Sequence, residues 1–559
     1  DGNEMKKKLR ILCLLLVPAI VAGVLVGCGN GKTSSTSNKG TKDNASKGSE
    51  TKENMIVANI ASEPRTIDPA INNATDGSTI IFNIFEGLAR INLKDDKPEP
   101  GIAENWDVSE DGTKYTFHLR KDLKWSDGTP LTANDVKYGI IRVLNPDTAS
   151  SYAYHGYCIK NGEAFYEGKA KAEDVGVNVI DDNTLEIELE YPVPYFLDIM
   201  AWHLMLPIKA DVVEKDPDGW SQNADTIISN GPFRVKEWKH NEYILLEKNP
   251  YYWDKDNVKI DNVKLVMIED ENTALTAYKT GKIDYMANIP AVQVPQLIDS
   301  GEAKVTDQLG TYFFDFNVNK KPFDDARVRK ALSLAIDRQA LIDTIVQGKQ
   351  KSAIGFIPFG LTGSDSNKDF REEVKPYIDA NANIEEAKKL LAEAGYPEGK
   401  GFPKVSLTYN TSENHKAIAE AVQAMWKDNL GIEVSLVNQE WKVFIDTRIQ
   451  GNYDIARDGY FSDFNDLGSL FDLQVTDNPN NYTKYSNPEY DELVVAARKE
   501  QDPTKRAELY HQAEDLLMED MPVAPLYYYT QAYLLKPYVK DMHISPLGWE
   551  FYRSACIEK

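Results

Sequence analysis

The sequence predicts an α/β protein of several domains, with mixed sheets flanked by helices. Three observations carry this reading. At 559 residues the chain is too long for one hydrophobic core. Residues 405–437 run strand, amphipathic helix, strand, a βαβ unit that calls for parallel pairing. Elsewhere, strand patterns recur between helical runs. An apolar content of 42% with 10% aromatics excludes disorder for the bulk of the chain. The formal net charge of −24 argues against nucleic acid and against a basic membrane-binding face.

In chain order, Lys6, Lys7, Lys8 and Arg10 precede an apolar run at 11–24, which reads as an export signal too short for a membrane span. Residues 29–54 are mostly Ser, Thr, Gly, Lys and Asn, a flexible tether. A strand is expected at 56–60 and a helix at 78–86, where Ile80, Ile81, Ile84 and Phe85 share one face. Residues 115–125 read as paired strands around a turn at 126–128. Thr132 and Asp135 form the box that opens a helix to about Val143, and 177–189 reads as a hairpin. Strands follow at 231–235, 243–247 and 263–268, then a helix at 271–280 closed by Gly281.

The chain then crosses at about 310–317 towards a continuous helix at 325–347. A helix at 384–394 has Asn383 as its cap and Gly395 at its end, and the βαβ unit follows. Helices near 488–500 and 504–519 precede Pro525-Leu526-Tyr527-Tyr528-Tyr529. Cys13 and Cys28 lie early, and Cys158 and Cys556 stand far apart, so no zinc or redox spacing exists. The histidines are scattered without HExxH, and no G-x-S-x-G elbow appears, so no catalytic residue, metal or cofactor is expected.

Most of the chemistry is concentrated in 438–464, NQEWKVFIDTRIQGNYDIARDGYFSDF. Trp441 opens a short helix with Val443, Phe444 and Ile445 inward and Gly451 at its left-handed end, and a strand covers 453–456. Arg457, Gly459, Tyr460, Phe461 and Asp463 then gather where that strand ends, with Arg448 nearby. A guanidinium fork grips carboxylates and a carboxylate pairs with an ammonium, so this set suits a zwitterion with separated ends. The competing reading makes Arg448 and Arg457 surface residues and Asp463 a helix cap.

That stretch closely resembles the oligopeptide-binding proteins that deliver peptides to ABC importers. The resemblance continues through WSDGTPLTANDV (125–136), EYPVPYF (190–196), NPYYWD (249–254), KKPFDDARVRKALSLAIDR (320–338) and PLYYY (525–529). It implies a class II periplasmic-binding-protein-like fold, two lobes made of three domains, with the ligand enclosed between the lobes. The implied division is signal peptide 1–27, lipidated cysteine and linker 28–54, domain I at 55–86, 208–309 and 531–559, domain II at 87–207 and domain III at 310–530. Leu25-Val26-Gly27-Cys28 resembles a lipobox, which makes Cys28 a lipid anchor on the outer face of a bacterial cell membrane.

Carried over residue by residue, the resemblance implies that Asp463 holds a peptide α-ammonium. Arg457 meets the carboxylate of shorter peptides, with Lys320, His415 and Arg448 as further cations. Gly459, Phe461 and Thr75 supply backbone groups, and Trp441, Tyr460, Phe313 and Tyr529 wall side-chain pockets. Tyr152 lines the pocket and Asn73 meets the peptide. The expected ligand is an extended peptide of about two to five residues or longer, bound by main-chain hydrogen bonds. The expected partners are ABC permease subunits, with the protein acting as a monomer. A same-fold receptor for a signalling peptide, dipeptide, sugar or metal chelate is the alternative, and a hydrolase a weaker one.

Overall fold

The computed structural model describes residues 54–558. The signal segment and Cys28 lie outside the described residues. An 11-stranded sheet forms the backbone of the fold. Its order is Val434–Gln439, Val405–Asn410, Ile455–Phe461, Ala303–Phe316, Val523–Leu535, Tyr285–Met286, Met55–Asn59, Asn262–Val266, Tyr243–Lys248 and Phe233–Lys239, with Lys351–Ser352 paired off this path. A separate four-stranded antiparallel sheet contains Ala103–Val108, Lys114–Leu119, Thr184–Glu188 and Val177–Asp181.

The local signals fold as their chemistry dictates. Val405–Asn410 and Val434–Gln439 pair in parallel on either side of helix Glu413–Leu430. That helix buries Ile418, Ala419, Val422, Trp426 and Leu430, is capped by Ser412, and ends at Gly431 with φ 68. The Thr132–Asp135 box closes on helix Ala133–Leu144, and the Asn383 side chain accepts from the Glu386 amide.

Two long strands tie the large sheet together. Ala303–Phe316 pairs antiparallel with Ile455–Phe461 on one side and Val523–Leu535 on the other. Between the pairs Asp307/Thr530 and Thr311/Tyr528 the register breaks, so residues 308–310 lie opposite Tyr529 alone. There the Leu309 amide donates to Pro546 and its carbonyl accepts from Ser462, which satisfies backbone groups the ladder leaves free.

Four expectations need correction. The helix expected at 325–347 is broken into Ala326–Leu334, Arg338–Leu341 and a wide turn Ile342–Val346. The cause is Arg338, only 1% exposed, whose guanidinium donates to the carbonyls of Ser333, Ile336 and Pro525. Asp337 caps the restarted helix. Residues 115–125 are not one continuous arm: Asp122 adopts φ 59, the chain leaves the sheet, and Lys114–Leu119 pairs with Ala103–Val108 and Thr184–Glu188, while the turn at 126–128 closes only a short bridge between Lys124 and Pro130. Val443 is 54% exposed, because the inward face of helix Trp441–Ile449 is Phe444, Ile445 and Arg448. The strand expected at 453–456 instead spans Ile455–Phe461, extended by pairing with the distant segment 310–316. Cys158 and Cys556 are both free thiols.

Outside the large sheet, Arg371 and Glu514 form a fully buried ion pair at 2.5 Å. Glu514 also accepts from the amides of Phe356 and Ile357. Removing one partner strands the other charge, so Glu514→Ala should destabilise the protein by about 3–5 kcal/mol. Chemical denaturation should show this loss, and Arg371→Met with Glu514→Leu should lose less than the single change.

Candidate ligand-binding site

Strand Ile455–Phe461 is covered on one edge by Ala303–Phe316 along its whole length. On the other edge Val405–Asn410 pairs only with Ile455 and Ala456. From Arg457 onwards that edge carries no strand partner among the described residues, and its residues line a cavity of about 300 Å³. An unpaired strand edge beside a cavity is a template for an added extended chain. A side chain at Gly459 would collide with the Tyr529 hydroxyl, so only glycine lets these two approach.

Arg457 lies at the start of this edge. One Nη donates to the Tyr529 hydroxyl at 2.9 Å and the other to Asn410 at 3.3 Å, and the guanidinium stands over the Tyr312 ring. Its Nε is buried without a partner, and no carboxylate pairs with it among the described residues. Arg448, by contrast, is buried in an ion pair with Asp458. His415 sits between Tyr312, at 3.2 Å, and Arg457. Burial first, and the neighbouring guanidinium second, hold its pKa well below the ordinary imidazole range, so it is neutral.

Asp463 follows two residues after the strand ends and is 5% exposed. Its carboxylate accepts from the Tyr460 hydroxyl at 2.9 and 3.1 Å and from Ser469 at 3.0 Å, and His155 Nε2 lies 3.4 Å away. Tyr152 donates in turn to the Tyr460 hydroxyl at 2.6 Å. Burial raises the Asp463 pKa, and hydrogen bonds from His155, Tyr460 and Ser469 offset this only in part.

The cavity brings together all the predicted site residues except two. Asn73, Thr75, Tyr152, His415, Trp441, Arg448, Arg457, Gly459, Tyr460, Phe461, Asp463 and Tyr529 line it. Phe313 does not: its ring is buried in the core against Phe356, with centroids 5.4 Å apart. Lys320 does not either; it pairs with Asp454 on a partly exposed surface. Sequence reasoning missed Asp76, Trp202, His203 and Tyr482, which also line the cavity, and His155, which touches Asp463. His203 bonds Ser78 at 3.0 Å and is pushed down to about 3 by burial.

A raised Asp463 pKa means that the neutral carboxyl stabilises the empty fold below the unfolded-state value, and that this contribution is lost as pH rises through the folded value. Asp463→Asn removes that dependence. The melting temperature of ligand-free wild type should therefore fall, relative to the variant, between acidic and neutral pH. Parallel melting curves at every pH would contradict the assignment.

Residues 97–482 match the family described as Bacterial extracellular solute-binding proteins, family 5 Middle. The chain is 39% identical over 559 residues to the oligopeptide-binding protein OppA of Bacillus subtilis (strain 168), covering 99% of both chains. Its fold is similar to that of Haemophilus influenzae OppA in complex with RPPGFSPFR, with a TM-score of 0.84, 34% identity, and 91% of this chain and 99% of that one covered. It is also similar to the Escherichia coli murein tripeptide binding protein MppA, with a TM-score of 0.84, 35% identity and coverage of 90% and 98%. Against an MppA structure described as the unliganded open form the TM-score is 0.62, at the same identity and coverage. The fold is the two-lobed, periplasmic-binding-protein-like architecture of these relatives, and the chain belongs to the bacterial extracellular solute-binding proteins, family 5.

Proposed function

We propose that this protein captures short peptides in extended form outside the cytoplasm and hands them to the permease of an ABC importer. The observation that carries the reading is a buried acid and a buried base, Asp463 and Arg457, on one cavity along an open strand edge, with no lysine or arginine paired to the first and no carboxylate to the second among the described residues. A peptide with free termini satisfies all three features: its ammonium pairs with Asp463, its carboxylate with Arg457, and its backbone with the edge. A sugar would leave both charges without partners.

Charge accounting also bears on ligand length. Arg448 is already neutralised by Asp458, His415 is neutral, and Lys320 lies elsewhere with Asp454. Arg457 is therefore the cation on which the carboxylate falls, and a cavity of about 300 Å³ suits peptides at the short end of the expected range. The lobes shut over the ligand by rotation about the strands Ala303–Phe316 and Val523–Leu535, which cross between them. The lower similarity to an unliganded open relative supports a closed arrangement here. Domain I comprises 55–86, 208–309 and 531–559, domain II 87–207 and domain III 310–530. Cys28 anchors a monomer to the membrane through the linker 29–54.

Native mass spectrometry of the purified protein, followed by denaturation, should release a mixture of short peptides. Asp463→Asn and Arg457→Met should each weaken tripeptide binding by about 30-fold or more, the lower end of the loss expected when one member of a buried charge pair is removed. Release of a single non-peptide compound, or unchanged affinity in both variants, would overturn the reading.

A further inference from the structure

The stretch EYPVPYF at 190–196 takes no part in lining the peptide cavity, yet it packs against the turn that carries Asp463. Phe464 directly follows Asp463 and is 3% exposed. Its ring enters a socket of three others. Tyr195 stacks on it with centroids 5.3 Å apart and planes 14° apart, while His155 at 5.2 Å and Trp202 at 6.2 Å meet it edge to face. Tyr195 and Trp202 flank the helix Phe196–Ala201, and His155 lies in the turn Ala153–Gly156. The Phe464 backbone is fixed without help from the socket: the Ser462 hydroxyl and the Asp466 amide donate to its carbonyl at 2.6 and 2.7 Å.

A second tier of contacts surrounds this ring. The Arg506 guanidinium stands 5.3 Å from the centre of the Tyr195 ring, held by hydrogen bonds of 2.6 and 2.8 Å to Asp466. The Lys499 ammonium lies 5.0 Å from the centre of the Tyr191 ring, and Gln501 donates to the Pro192 carbonyl at 2.9 Å. One side of every contact falls within 155–202 and the other within 464–506, which the division proposed above assigns to different lobes. A ring buried between two bodies leaves its socket when they part, so its burial favours the closed arrangement alone. That gain needs no contact with a ligand.

We propose that Phe464 is a positioning residue that latches the closed state, seating in the Tyr195–His155–Trp202 socket as the lobes shut and supporting closure equally for every peptide. The inference rests on the two-lobed peptide-binding reading and goes beyond it by placing part of the drive for closure outside the ligand contacts.

The test is calorimetry of the full chain with trialanine, tetra-alanine and trileucine. Phe464→Ala should weaken all three by one common factor of about 10-fold or more, because the closed fraction multiplies every affinity alike. Phe464→Leu, which refills part of the socket, should recover part of the loss. The affinity ratio of trialanine to N-acetyl-trialanine should keep its wild-type value, since Asp463 still meets the ammonium. The melting temperature of the ligand-free protein should change little, while the rise produced by saturating trialanine should shrink. A loss confined to one peptide, or an altered acetylation ratio, would make Phe464 part of the ligand site and overturn the proposal. Unchanged affinities in both variants would overturn it too. So would a ligand-free melting temperature lowered as far as the liganded one, or failure of both variants to fold, since either marks an ordinary core residue. Failure of every peptide to bind the wild type would overturn the peptide-binding reading as well.

Discussion

Asp463 and Arg457 are held out of water without a full counter-charge, and most of the surrounding structure exists to make that tolerable. Burying an isolated charge costs several kcal/mol, so each is held by neutral donors, acceptors and π-faces that reduce the penalty without cancelling the charge. Tyr460 and Ser469 do this for Asp463, with His155 3.4 Å away, and Tyr529, Asn410 and the Tyr312 ring do it for Arg457. The fold thereby stores electrostatic free energy that a zwitterion can relieve. Arg448 provides the contrast: with Asp458 beside it, it is satisfied before any ligand arrives.

The same residues connect the site to the strands that cross between the two halves of the large sheet. Tyr529 stands at the register break of the crossing strands, and its hydroxyl holds Arg457. Gly459 and Gly310 leave room for Tyr529 and for the Phe461 ring. Tyr529 thus links Arg457 directly to the register break of the crossing ladder.

Much of this was legible in the sequence where the determinant was local. The βαβ unit, the Thr132 and Asn383 caps and the Arg457–Asp463 cluster depend on residues within a few positions of one another. What was not legible depends on distant partners. The break in the helix after Leu334 follows from a buried Arg338 reaching Pro525. The exclusion of Phe313 follows from its packing on the distant Phe356. Asp76, His155 and His203 carry no local motif, and only the fold brings them to Asp463 and its cavity. Resemblance to a family named residues that the fold gathers around one cavity; how each cation among them is paired needed three-dimensional neighbours.

The most direct measurement compares one tripeptide in four forms by isothermal titration calorimetry: free, N-acetylated, C-amidated and doubly blocked. If Asp463 and Arg457 recognise the two termini, each single block should weaken binding by about 30-fold or more, and the doubly blocked peptide should not bind detectably. Equal affinity for the free and doubly blocked forms would show that the buried charges serve some other purpose.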